Sequence, residues 1–120
     1  MEKPLILIAD DAMFMRKVVK RALSQGDTIT LWKRETGVEA VEKYKEYQPD
    51  LMLLDITMPE RSGLEVLNEV LAFTRNAKVI MCSAVGQEQV IAEAIRCGAS
   101  DFIIKPFKDE EILKIVTAYL

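Results

Sequence analysis

The chain has 120 residues, half of them hydrophobic, which is enough for one covered core and too little for two, so a single domain over residues 1–120 is expected. Its 16 basic and 19 acidic side chains leave a formal charge of −3, so there is no broad basic field to hold nucleic acid. Cys82 and Cys97 match no zinc or redox spacing and no histidine is present to join them, so both are expected to be reduced packing residues.

The first apolar run, residues 5–9, is too short for a signal-peptide core and far too short to span a bilayer, so a cytoplasmic protein without membrane attachment is expected. Asp10-Asp11 follow it. Phe14, Val18 and Ala22, with Met15, Val19 and Leu23, then recur at helical spacing. Residues 29–32 form a second strand-length run, and the surrounding stretch 24–37 is expected to be an exposed sheet edge. Val38, Val41 and Tyr44 mark a second helix, in which the run from Glu42 to Glu46 reads as a solvated face of pairable charges. Residues 51–54 are continuously apolar, as a strand buried on both faces would be, and Asp55 stands directly at their end. Leu64, Leu67 and Leu71 mark a third helix, residues 79–82 a fourth strand followed by Ser83, and Ile91 and Ile95 a fourth helix. Residues 102–104 form a fifth strand followed by Lys105, and Ile112, Val116 and Tyr119 a fifth helix. Met13, Met15, Met52, Met58 and Met81 read as gap-filling core or loop residues.

Alternation of strand and helix requires crossover connections, hence an α/β, doubly wound parallel sheet of five strands with five helices in three layers. In such sheets ligands sit beyond the carboxyl ends of the strands, where the strand order reverses. Asp10, Asp11, Asp55, Ser83 and Lys105 all fall at those ends. Three carboxylates brought to about 5 Å of one another would repel by about 3 kcal/mol per pair at an effective dielectric near 20. One lysine cannot offset that. A dication can, and oxygen ligands with room for water and a phosphate favour Mg2+. A carboxylate can attack phosphorus to form an aspartyl phosphate, with Lys105 and the Ser83 hydroxyl placed to hold the transferring oxygens. Each residue alone has a plainer reading. Asp10 or Asp11 caps a helix equally well, Asp55 can open a turn with Pro59 and Gly63, Ser83 can bond local backbone, Lys105 can be a solvated turn residue, and Phe102 can be plain core.

Taken together, Asp10-Asp11, Asp55 with Pro59 and Gly63, Ser83-Ala84 and Lys105-Pro106 resemble the receiver domain of two-component response regulators over essentially the whole chain. The segments around Asp11-Ala12-Met13-Phe14, Asp55-Ile56-Thr57-Met58-Pro59, Met81-Cys82-Ser83-Ala84 and Phe102-Ile103-Ile104-Lys105 look like the CheY-like chemotaxis branch of that family in its Gram-positive and thermophilic form. The resemblance implies a flavodoxin-like sheet of strand order 2-1-3-4-5. It implies Asp55 as phosphoacceptor, Mg2+ held by Asp11 directly, by Asp10 largely through water, by Asp55 and by the Thr57 backbone carbonyl, and a cis Lys105-Pro106 bond. It further implies that Ser83 and Lys105 engage the phosphoryl group while Phe102 rotates inward as the coupled switch. The implied donor is a sensor histidine kinase of the CheA type, docking near Met13 and Met15. The implied output surface is the fourth helix, fifth strand and fifth helix, offered by a monomer to a flagellar motor switch protein or an effector domain. Phe102 stands where enteric relatives carry tyrosine, so a partner contact needing a phenol hydroxyl is absent.

Three rivals are weighed. An aspartate-nucleophile phosphatase needs a second carboxylate two residues beyond the nucleophile, where this chain has Thr57, so no enzyme activity of its own is expected. A flavin carrier needs a donor-rich loop after the first strand, and Asp10-Asp11 would repel its phosphate. A degenerate interaction module would lack some of the chemical positions, which here are all filled. A receiver cut from a longer regulator remains an alternative to a self-contained protein.

Overall fold

The computed structural model describes residues 5–9, 28–31, 37–56, 63–84, 86–105 and 107–119. In chain order these form β1 (Leu5–Ala9), β2 (Thr28–Leu31), α1 (Gly37–Tyr47), β3 (Leu51–Asp55), α2 (Gly63–Phe73), β4 (Val79–Ala84), α3 (Glu88–Cys97), β5 (Asp101–Lys105) and α4 (Asp109–Tyr119). The helical stripe beginning at Phe14 lies outside the described residues.

All strand pairings are parallel, and the sheet runs β2-β1-β3-β4-β5. Parallel neighbours cannot be joined by tight hairpins, which is why an element with helical spacing separates each described pair from β2 onward. The chain steps from β1 outward to β2, then returns past β1 to β3 and continues the other way. The carboxyl ends of β1 and β3 therefore flank the point where the order reverses.

Successive strand side chains face opposite sides of the sheet, and two cores follow from that period of two. On one face Leu7, Met52, Leu54, Val79 and Met81 meet Val41 and Tyr44 of α1, Val66, Leu67 and Val70 of α2, and Ile91 and Ala94 of α3. On the other, Ile6, Ile8, Leu53, Ile80, Cys82 and Ile103 meet Phe107 and, from α4, Ile112 and Val116. The inner strands β1 and β3 are buried nearly throughout, as an apolar run without alternation requires. Met52 and Met81 are core, and so is Tyr44, whose ring meets Phe73 edge-on at 6.4 Å. The run from Glu42 to Glu46 is thus a charged face interrupted by one core anchor, with Lys43 and Glu46 paired at 3.0 Å.

The ladders extend beyond the apolar runs. Asp55 is the last residue of β3, Ser83 and Ala84 lie within β4, and Asp101 and Lys105 bound β5, whereas the apolar runs stop short of each. Backbone pairing does not end at the first polar side chain when a neighbouring strand still supplies partners. α3 ends on Gly98, whose φ of 117° lets its N–H reach back to Ala94 and Ile95. Among the described residues no helix is long and apolar enough to cross a membrane.

Candidate functional site

Asp55 owes its position to the β3–β4 ladder, in which it pairs with Cys82 while the Ile56 N–H donates to the Cys82 carbonyl at 3.0 Å. Its side chain is only 8% exposed, unusual for a carboxylate that is not compensated. The compensation is Lys105, at the end of β5, whose Nζ stands 3.3 Å from Asp55 Oδ2 and is itself largely covered. At that separation the attraction is about 5 kcal/mol for an effective dielectric near 20, of the order needed to offset desolvating the two charges. β4 lies between the two residues, and the pair bridges across it at the carboxyl edge of the sheet.

The loop leaving β3 is pinned by Gly63, whose N–H donates to the Ile56 carbonyl. A Cβ at Gly63 would lie 2.5 Å from the Asp55 carbonyl oxygen and 2.6 Å from Ile56 Cα, so backbone passes where any side chain would start. The sequence marked Gly63 as a turn residue, and the structure gives it a tighter role: it seats the start of α2 against the strand end that carries Asp55.

Ser83 sits on β4 opposite Ile104 and is 1% exposed, and among the described residues its Oγ has no hydrogen-bond partner. A buried hydroxyl left in that state costs about 1–3 kcal/mol, which makes it a group waiting for an acceptor or donor. Ala84, next along, faces Lys105 in register, and its N–H is held at 2.6 Å by the side-chain oxygen of Gln87, the residue that caps α3. Sequence reading passed over Gln87. Gln87 stands at the N-cap position of α3 without a side-chain cap hydrogen bond in the helix, and its side chain instead reaches three residues back to the end of β4.

Phe102 is 39% exposed and is therefore not core. It lines an apolar groove with Ile91 and Ile95 of α3 and Ile104 of β5, and it also borders a second groove with Ile115 and Ala118 of α4. Asp10, Asp11, Thr57, Met13, Met15 and the Lys105-Pro106 bond lie outside the described residues, so what the structure brings together is Asp55 and Lys105, with Ser83 on the intervening strand β4 and Phe102 three residues before Lys105 on β5. Among the described residues no three acidic, histidine or cysteine side chains form a metal cluster. Asp55, the acidic oxygen donor at this edge, has the chemistry a hard dication takes.

Residues 6–117 match the family model of the response regulator receiver domain. The chemotaxis protein CheY of Listeria monocytogenes is 50% identical over 109 residues, spanning 91% of this chain and 92% of that protein. The chemotaxis protein CheY of Bacillus subtilis is 45% identical over 115 residues, 96% of each. Among solved structures, a chain of the CheX-CheY-BeF3-Mg2+ complex from Borrelia burgdorferi matches with a TM-score of 0.87 and 36% identity, over 97% of this chain and 89% of that one.

Proposed function

The chain belongs to the response regulator receiver family, and from that premise we propose that it is a CheY-like phosphoacceptor in two-component signalling, with Asp55 the residue that takes the phosphoryl group. The observation that carries this reading is the buried Asp55 carboxylate at a strand end, 3.3 Å from Lys105. An Asp55 oxygen forms the new bond to phosphorus as the bond to the donor atom of a histidine kinase breaks, and the electron pair leaves with that donor. Lys105 moves from a carboxylate partner to a partner of the transferred oxygens, and the Ser83 hydroxyl gains the hydrogen bond it lacks in the resting chain.

Asp10, Asp11, Asp55 and the Thr57 carbonyl would hold Mg2+ in this reading. When bound, it supplies the positive charge that lets a phosphate approach three carboxylates. The full architecture we propose is one receiver domain over residues 1–120, with five helices around the sheet of order 2-1-3-4-5. It acts as a cytoplasmic monomer and not as an enzyme. Its donor is a CheA-like kinase, and its output partner, a flagellar motor switch protein or an effector domain, docks on α3, β5 and α4. Support for that surface comes from the exposed Phe102 and the apolar grooves beside it.

The test is intact-mass analysis after incubation with acetyl phosphate and magnesium. One added phosphoryl group that requires both Asp55 and the metal is expected. Equal addition to Asp55→Asn, or addition without metal, would overturn the assignment.

A further inference from the structure

The β3–β4 ladder stops one rung short, and the last donor is not left open. Cys82 turns its carbonyl to β3, where Ile56 N–H donates to it at 3.0 Å. Two residues on, by the alternation of a strand, the Ala84 N–H points the same way. The next acceptor of a continued ladder would be the Ile56 carbonyl, but that oxygen accepts from Gly63 instead. Ala84 N–H therefore emerges where β3 has ended at Asp55, on a residue paired with Lys105, whose ammonium reaches the Asp55 carboxylate. At 2.6 Å its acceptor is Gln87 Oε1.

We propose that Gln87 is a positioning residue for phosphoryl acceptance: its carboxamide oxygen occupies the Ala84 N–H in the resting chain and yields that donor to an oxygen of the phosphoryl group on Asp55. This rests on the reading of Asp55 as phosphoacceptor. Gln87 stands at the cap of α3, and its backbone N–H also contacts the Ala84 carbonyl at 3.3 Å. Exchanging its side chain for a phosphoryl oxygen releases the turn that begins α3, the helix that forms one wall of the Phe102 groove. A purely local capping role predicts a different response to substitution. Capping depends on the strength of the acceptor alone, whereas a latch that competes with an anion depends on acceptor strength and on charge.

The experiment is calorimetric titration of beryllium trifluoride with excess magnesium into the native, Gln87→Met and Gln87→Glu chains, with exchange of the Ala84 amide proton followed by NMR before any addition. Methionine keeps the length and removes the strong acceptor, so Gln87→Met is expected to bind about two- to tenfold tighter, the range set by one net hydrogen bond. Its Ala84 amide should exchange faster than in the native chain. Gln87→Glu holds the amide more firmly and repels the anion, so it is expected to bind more weakly than the native chain. Equal affinities, or a shift of both variants in one direction, would overturn the latch and leave the phosphoacceptor reading standing. No binding by the native chain would overturn that reading and the latch with it.

Discussion

Ser83 on β4 and Gly63 at the start of α2 each tie resting stability to the proposed phosphoryl chemistry. Ser83 Oγ is buried without a partner among the described residues, so the resting chain carries a penalty that a phosphoryl oxygen would remove. Alanine differs by that oxygen alone. Ser83→Ala is expected to raise resting stability by up to about 1 kcal/mol, seen as a higher urea midpoint, while weakening beryllium trifluoride binding. A variant less stable than the native chain would mean that the hydroxyl is already satisfied. Gly63 acts through space instead. Because the obstacles to a Cβ are backbone atoms of Asp55 and Ile56, Gly63→Ala must move either the loop or the strand end. Overpacking of this kind costs about 1–3 kcal/mol. Phosphoryl uptake measured by intact mass should fall with it, since Asp55 is displaced. Native stability and native uptake in that variant would sink the argument.

At the scale of elements, α4 is fastened to the sheet at its far end from the site. The Tyr119 hydroxyl faces the Ser100 carbonyl at 2.8 Å and Asp101 Oδ2 at 3.0 Å, and Lys78 Nζ donates to the Tyr119 carbonyl at 2.9 Å. The hydrogen bond to Asp101, then burial, then the charge of Asp101 raise the Tyr119 pKa above the ordinary tyrosine value. A raised pKa on an acid means that the fold favours the neutral form. This contribution is therefore complete below the ordinary value near 10 and is lost as pH rises through the higher folded value. Tyr119→Phe should cost about 0.5–1 kcal/mol at neutral pH and flatten the loss of stability between the two values. An unchanged alkaline slope in urea titrations would show that the clasp does not contribute. Tyr119 also marks the limit of what periodicity reveals: its helical spacing placed it on a core stripe, but nothing local announced two acceptors on the edge of β5. Strands were legible because residues such as Leu53 and Ile80 must be apolar to be buried on both faces. The site was legible where a charged residue followed such a run, as Asp55 and Lys105 do. The close approach at Gly63 was not, because it depends on where the Asp55 and Ile56 backbone comes to lie. Gln87 was not either, because nothing in its residue type separates a side chain that reaches back to a strand end from an ordinary exposed glutamine.

Among the described residues, α1, α2 and α3 pack on one face of the sheet and α4 on the other, and Lys105 of the site shares β5 with Phe102 and its grooves. Ser83 pairs with Ile104 and Met81 with Phe102, so the strand that carries the buried hydroxyl is in register with the strand that carries the exposed ring. A two-state switch built on this register has an energetic requirement. Reversing a preference of about 99 to 1 takes about 5.5 kcal/mol of differential contact, whereas a hydrogen bond to a charged group supplies about 1.5–3 kcal/mol. One contact is not enough. Lys105, Ser83 and the Ala84 N–H acting together would supply about 4.5–9 kcal/mol, which spans the requirement, whereas any two would supply about 3–6 kcal/mol and meet it only at the top of that range, so the proposed Phe102 switch draws on all three. Phe102→Trp, made in a Trp32→Phe background so that it is the sole indole, reports this directly. The indole emission is expected at the wavelength of an exposed ring without ligand, and shifted to the blue with reduced acrylamide quenching once beryllium trifluoride and magnesium are bound. Adding Ser83→Ala should leave the shift partial at saturating ligand, because the remaining two contacts, about 3–6 kcal/mol together, meet the requirement only at the top of their range. An emission unchanged by bound ligand would remove Phe102 from the switch, and a full shift without Ser83 would show that fewer contacts suffice.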